Sequence, residues 1–159
     1  MMKKIAGALM ALGLLASTNV MAIDRAETVG VDMHYQDREN DKAVWSGSLS
    51  YARLVVKNLE VGVAYTFDGS DMSKNTLQGL QLVGRQWFGP YPKANNAIPF
   101  VEIAGGLEFS DGSYKNSGTV GAGIGLFVND QSELRITLKQ TWGGFQDVTA
   151  FNTGFYYHF

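Results

Sequence analysis

Along residues 134–142, Leu134, Ile136, Leu138 and Trp142 fall on one side of an extended chain, and Arg135, Thr137, Lys139 and Thr141 fall on the other. That period of two permits a strand with unlike faces and excludes a helix. The same alternation recurs from one end of the chain to the other. Val29, Val31, Met33 and Tyr35 alternate with Gly30, Asp32, His34 and Gln36; Trp45, Leu49 and Tyr51 with Ser46, Ser48 and Ser50; Leu59, Val61, Val63, Tyr65 and Phe67 with Glu60, Gly62, Ala64, Thr66 and Asp68. Val101, Ile103, Leu107 and Phe109 stand against Glu102, Ala104, Gly106 and Glu108, and Val120, Ala122, Ile124, Leu126 and Val128 against Gly121, Gly123 and Gly125. The final stretch sets Phe151, Phe155, Tyr157 and Phe159 against Asn152, Gly154, Tyr156 and His158. One strand is blurred, about Leu77 to Phe88, where Gln81-Leu82-Val83-Gly84 breaks the period. Taking Leu80, Leu82 and Phe88 as its apolar face turns Arg85 to the polar side. The expectation is eight strands.

Polar or turn-forming segments separate them: Asp37 to Ala43, Lys57-Asn58, Gly69 to Thr76, Gly89 to Pro99, Ser110 to Ser117, Asn129 to Ser132, and Gly143 to Val148. Short and longer connections alternate, as they do when strands run up and down between two unlike sides. The link from Gly89 to Pro99 is the long exception, and its prolines argue against ladder hydrogen bonding there.

Which face points inward follows from composition. The polar face is rich in Gly and Ser with single charges among them, which suits an eight-stranded interior barely wide enough for its own side chains. The other face is large, apolar and continuous. The alternative is a lipocalin-like soluble barrel with the apolar face inside; with the small residues inside instead, the apolar face would be a patch far larger than soluble monomers expose to water. In lipid the band is an asset. Tyr35, Trp45, Phe67, Phe109, Trp142 and Phe151 lie near the loop ends of their strands and form one aromatic girdle, while Phe88, Tyr157 and Phe159 begin the other. The fold expected is all-β, an antiparallel eight-stranded up-and-down transmembrane β-barrel.

The N-terminus fits export. Lys3 and Lys4 precede an apolar core from Ile5 to Ala16, and Val20-Met21-Ala22 is a small-residue cleavage site, so 1–22 reads as a signal peptide and 23–159 as the barrel. The apolar core is short of the roughly 20 residues a spanning helix needs. Removing 22 of 159 residues leaves 137, and losing two lysines leaves 11 basic side chains against 15 acids, a net charge of −4. No basic field for nucleic acid remains. The absence of cysteine excludes disulfides and thiolate metal sites.

The terminal Phe155, Tyr157 and Phe159 resemble the C-terminal strand of bacterial outer-membrane barrels, in which a final Phe and the aromatics two and four residues before it are read by the assembly machinery. As architecture, the whole of 23–159 resembles the small eight-stranded outer-membrane proteins, such as the OmpX type and the membrane domain of the OmpA type. The resemblance implies localisation in the bacterial outer membrane, with membrane lipid and lipopolysaccharide and the barrel assembly machinery as partners, and a monomer. The loops read as short, which departs from members whose strands protrude as an adhesive sheet.

Candidate chemistry lies on the inward face. Asp32, Glu60, Glu102 and Glu108, with Asp68 and Glu133, face Arg85, Arg135 and Lys139, together with His34 and His158. These read as a paired network that closes the lumen, because charges withdrawn from water need partners. Height along the strands puts Glu60, Arg85, Glu102, Arg135 and His158 in the periplasmic half and Asp32, His34, Glu108 and Lys139 in the outer half, with Glu102 closing the lumen on Arg135 or Arg85. The glycines Gly121, Gly123 and Gly125 read as room for bulky inward neighbours such as Phe127, Tyr156 or Arg135. Two alternatives stand beside this structural or surface-interaction role. One is a narrow passive pore. The other is a lipopolysaccharide-modifying acyl hydrolase, with His34 opposite Ser46 and Asp32 nearby, although the deacylase pattern of His and Ser two residues apart on the lipid-facing side is missing. No catalytic residue, cofactor or metal site is assigned. Two histidines on different strands do not make a zinc site, and Asp37-Arg38-Glu39-Asn40-Asp41 lacks calcium-loop spacing.

Overall fold

In the computed structural model eight strands hydrogen-bond in chain order and close on themselves. They are β1 (Glu27–Arg38), β2 (Val44–Val56), β3 (Leu59–Asp68), β4 (Gln78–Trp87), β5 (Ala97–Ser110), β6 (Ser113–Asn129), β7 (Ser132–Gly143) and β8 (Val148–His158). Every neighbouring pair is antiparallel, including the closing pair β1 and β8. The structure describes residues 27–38, 44–68, 78–89, 95–110, 112–145 and 147–159, so the proposed signal segment 1–22 and most of the first two long loops lie outside the described residues.

Alternation becomes geometry here. Outward side chains such as Val31, Met33, Leu49, Leu82, Ile103, Ile124 and Leu138 are exposed, Ile103 by 65 %. Their inward neighbours Asp32, Ser48, Val83, Glu102 and Thr137 are buried. A barrel that shows its aliphatic side chains and hides its carboxylates is built for a hydrocarbon surround, where all backbone groups pair internally and no edge stays open. The blurred strand resolves as Leu80 and Leu82 outward and Val83, Arg85 and Trp87 inward, the period being masked because apolar residues occupy both faces.

The terminal strand seals the cylinder. Thr28 to Arg38 of β1 pair with His158 back to Val148 of β8, and Glu27 and Phe159 exchange backbone hydrogen bonds at 3.2 and 3.0 Å. Tyr157 and Phe159 stack outside at 6.3 Å between ring centres, on the end where the β2–β3 and β6–β7 turns lie. We call this the turn end and the opposite one the loop end. Asn58 takes a left-handed φ of 66° in the β2–β3 turn, a conformation asparagine tolerates better than most residues.

Two boundaries differ from the sequence expectation. β5 begins at Ala97 and runs through Pro99, whose carbonyl accepts from the Phe88 N–H at 2.9 Å. Proline is admitted because it sits at the strand's first turn-end positions, where only one ladder donor is lost. The segment Ser110 to Ser117, read as a loop, is a strand extension, with Ser110 opposite Ser113 and only residues 111 and 112 between them. β4 pairs with β5 only as far as Phe109, and β7 with β6 only as far as Ser117, so this hairpin stands beyond its neighbours. The loop end is therefore not uniformly short.

Candidate functional site in the lumen

The turn-end half of the lumen is filled. Trp87 of β4, Ile98 and Phe100 of β5 and Phe127 of β6 form a buried apolar cluster, with ring centres 4.7 Å apart for Trp87 and Phe100 and 5.9 Å for Trp87 and Phe127. Glycine makes the room. A Cβ at Gly125 would lie 2.8 Å from the Trp87 ring, and one at Gly123 would lie 2.7 Å from the Phe100 ring. The neighbours that need this space are Trp87 and Phe100, reaching in from β4 and β5; Tyr156 takes the corresponding space at Gly30.

The Arg135 guanidinium lies against these rings. It sits 3.6 Å from the Tyr156 ring centre, 5.0 Å from Trp87 and 5.6 Å from Phe100, and the residue is only 1 % exposed. Its Nε and Nη2 donate to the two oxygens of Glu133 at 2.6 Å each, a two-pronged pairing that holds the planar fork rigid. Nη1 lies 3.7 Å from Glu60. His158 Nε2 donates to Glu133 at 3.0 Å, and the Thr28 hydroxyl meets His158 Nδ1 at 3.1 Å.

A second group forms one cross-strand row. Glu60, Arg85, Glu102, Gly121 and Lys139 are successive register partners on β3 to β7. Arg85 donates through Nη1 to Glu60 at 2.5 Å and through Nε to Glu102 at 3.0 Å, with its Nη2 also on Glu102. Lys139 Nζ reaches the other Glu102 oxygen at 2.6 Å, passing Gly121, where a Cβ would stand 3.1 Å from the lysine stem. Of the two partners expected for Glu102 the structure gives Arg85 and adds Lys139, while Arg135 belongs to Glu133 and Glu60. Lys139, assigned to the outer half, works in the same layer as Glu102, because rows perpendicular to tilted strands climb the barrel and strand height is not row height.

The loop-end half is open. A cavity of about 90 Å³ is lined by Asp32, His34, Ser48, Gln81, Glu108 and Lys139, among others, and reaches down to the Glu60 and Arg85 pair. Asp32 Oδ2 accepts from the Tyr156 hydroxyl at 2.5 Å and the Ser48 hydroxyl at 3.2 Å, and His34 Nε2 and the Ser48 hydroxyl are hydrogen-bonded at 2.9 Å. Register does set His34 opposite Ser46, yet the hydrogen bond goes to Ser48. In a hydrolase the acid orients the histidine and the histidine takes the serine proton. Here Asp32 is hydrogen-bonded to the serine, so the acid–histidine–serine order of a triad is not formed by these three residues.

No protein-family model and no curated protein matches this chain. Solved structures do. Neisserial surface protein A superimposes with a TM-score of 0.66 at 12 % identity, over 84 % of this chain and 96 % of that one. The N-terminal barrel domain of Pseudomonas aeruginosa OprF gives 0.60 at 14 % identity, over 83 % and 97 %. The chain has the fold of the small eight-stranded outer-membrane barrels. A de novo designed transmembrane barrel matches as well, at 0.61 and 19 % identity over 88 % of this chain and all of the design. A design made for architecture fits about as well as the natural proteins, so the likeness is one of fold and carries no activity.

Within this outer-membrane-type barrel, sequence reading named Asp32, Glu60, Arg85, Glu102, Glu108, Arg135 and Lys139 as lumen groups, and all seven point inward. The structure joins five of them, leaves Asp32 and Glu108 outside the ionic network, and makes Glu133, also read as inward, the principal partner of Arg135. The aromatic plug went unread because Trp87, Phe100 and Phe127 are apolar residues on an otherwise polar face. Their signal was the facing glycines.

Proposed function

We propose that this protein is an integral barrel of the bacterial outer membrane, exported with cleavage after Ala22, that stands as a monomer with a closed lumen and acts structurally or as a surface-interaction scaffold through its loop end. The observation that carries the closed lumen is the coincidence of the aromatic plug with the Arg135 and Arg85 ion pairs across the turn-end half. A path for ions would have to displace Trp87, Phe100 and Arg135 together, each fully buried and held by several partners. Outer-membrane lipid and lipopolysaccharide would surround the apolar band, and the barrel assembly machinery would read Phe155, Tyr157 and Phe159. The loop-end hairpin of β5 and β6, with Tyr114 exposed, is the best-placed contact surface.

The test is single-channel recording of the protein, extracted in detergent and inserted in a planar bilayer, beside mass spectrometry of lipid A from cells that overexpress it. No steady conductance and unaltered lipid A are expected. Steady conductance in the wild type would move the reading to the passive pore, and a lost acyl chain would move it to the hydrolase. Replacing Arg85 and Arg135 by glutamine should raise conductance or lower stability; if it changes neither, the ionic closure is wrong.

A further inference from the structure

The outward face of the strands is almost free of charge. Among the described residues two charged side chains stand on it, Glu27 at the start of β1 and Arg53 near the end of β2. Their chain neighbours Thr28, Ala52 and Leu54 point inward and are buried, which turns the two charges out. Glu27 and Arg53 are register partners at the turn end. Phe159 of β8 flanks Glu27 through their two backbone hydrogen bonds, and Val61 of β3 flanks Arg53. One row toward the middle of the apolar band stand Tyr157, Val29, Tyr51 and Val63.

An ionisable group beside hydrocarbon is costly, so it belongs where its head reaches the membrane boundary and a partner there. The ion pair of Arg53 Nη1 with Glu27 Oε1 spans 4.0 Å, longer than a charge-assisted hydrogen bond, and the two side chains stay 25 % and 33 % exposed. Both heads are therefore within reach of a ligand from the lipid side. The Tyr51 hydroxyl is hydrogen-bonded to Glu27 and tethers the carboxylate to the outer face. From this geometry we infer that Glu27 and Arg53 form a headgroup site for one zwitterionic phospholipid with a primary ammonium, in the leaflet at the turn end. The inference rests on the membrane-barrel reading above and adds a lipid class to it.

Charge complementarity sets the class. Arg53 offers a planar fork to a phosphodiester, and Glu27 accepts from an ammonium. The two stand on neighbouring strands, roughly 4.8 Å apart. They call for a headgroup that carries both signs a short spacer apart, as a phosphate and an amine joined by two carbons do. An anionic headgroup without an amine would satisfy Arg53 and be repelled by Glu27. A quaternary ammonium has no N–H to donate to the carboxylate. Val29, Val31 and Leu49, exposed on the same two strands, give the acyl chains an apolar bed.

The experiment is native mass spectrometry of the detergent-extracted protein titrated with phosphatidylethanolamine, phosphatidylcholine and phosphatidylglycerol of the same acyl chains. One retained phosphatidylethanolamine per barrel is expected, favoured about threefold over either of the others, the scale of an exposed ion pair. Arg53→Gln should remove that excess retention. Glu27→Gln should abolish the preference for phosphatidylethanolamine over phosphatidylglycerol, and Lys57→Gln, in the adjoining turn, should leave it unchanged. Circular dichroism establishes that each variant is folded; should Arg53→Gln fail to fold, Glu27→Gln still decides. Equal retention of the three lipids by the wild type overturns the inference, as does a preference that survives Glu27→Gln or is lost in Lys57→Gln. Insertion into phosphatidylcholine vesicles, followed by circular dichroism, tests the barrel reading separately. Failure to insert overturns that reading and this one together, whereas insertion without a headgroup preference overturns the site alone.

Discussion

The two halves of this lumen are made from the same eight strands and obey opposite rules. The turn-end half is aromatic and charge-matched: Trp87, Phe100, Phe127 and Tyr156 close around Arg135, and each guanidinium finds carboxylates on more than one strand. The loop-end half is lined by Ser48, Thr66, Gln81 and Gly79, encloses a cavity, and carries Asp32 and Glu108, which form no ion pair among the described residues. Filling a barrel gives rigidity and closes it to solutes.

The sharpest way to break this contrast is at Arg135. Arg135→Met leaves Glu133 and Glu60 buried without that guanidinium and should cost about 3–5 kcal/mol, read as the shift in urea unfolding midpoint of the protein in phospholipid vesicles. Trp87→Ala removes the centre of the plug and should cost about 3 kcal/mol by the same measurement. Gly123→Val pushes a side chain into the Phe100 ring and the Ile136 carbonyl and should cost about 1–3 kcal/mol through overpacking. On the open side the effects should shrink. Ser48→Ala removes one of the two hydroxyls on Asp32 and should cost about 1 kcal/mol. Thr66→Ala, facing the cavity, should stay within about 0.5 kcal/mol. A loss at Ser48 equal to that at Arg135 would show that the halves are energetically alike.

The lipid face offers an independent check. Leu138→Arg places a cation in the middle of the apolar band and should cost about 2–4 kcal/mol in bilayers. A surface facing water would accept that change almost without cost.

Strand number, alternation and facing were readable because they are local. A period of two needs only neighbours in sequence, and the contrast between Gly121, Gly123 and Gly125 inside and Ile124, Leu126 and Val128 outside is printed in a single strand. The terminal aromatics and the direction of Arg85 followed from the same period. Boundaries were harder where one residue type has two uses: Pro99 is a turn signal that sits in a strand, and Ser113 to Ser117 looks like a loop because Tyr114 is the one large side chain among serines, Lys115 and Asn116.

What the sequence determined by itself was therefore the barrel and the charged groups inside it, but not the aromatic plug. Only the tertiary structure decided which of them meet. Lys139 reaches Glu102 two strands away, and Arg135 on β7 lies near Glu60 on β3 across the lumen, because tilt and stagger carry each register row obliquely up the cylinder. The same stagger leaves Asp32 and Glu108 at the ends of a row of small residues, with the cavity between them. Chain position does not contain that offset; closure of the sheet creates it.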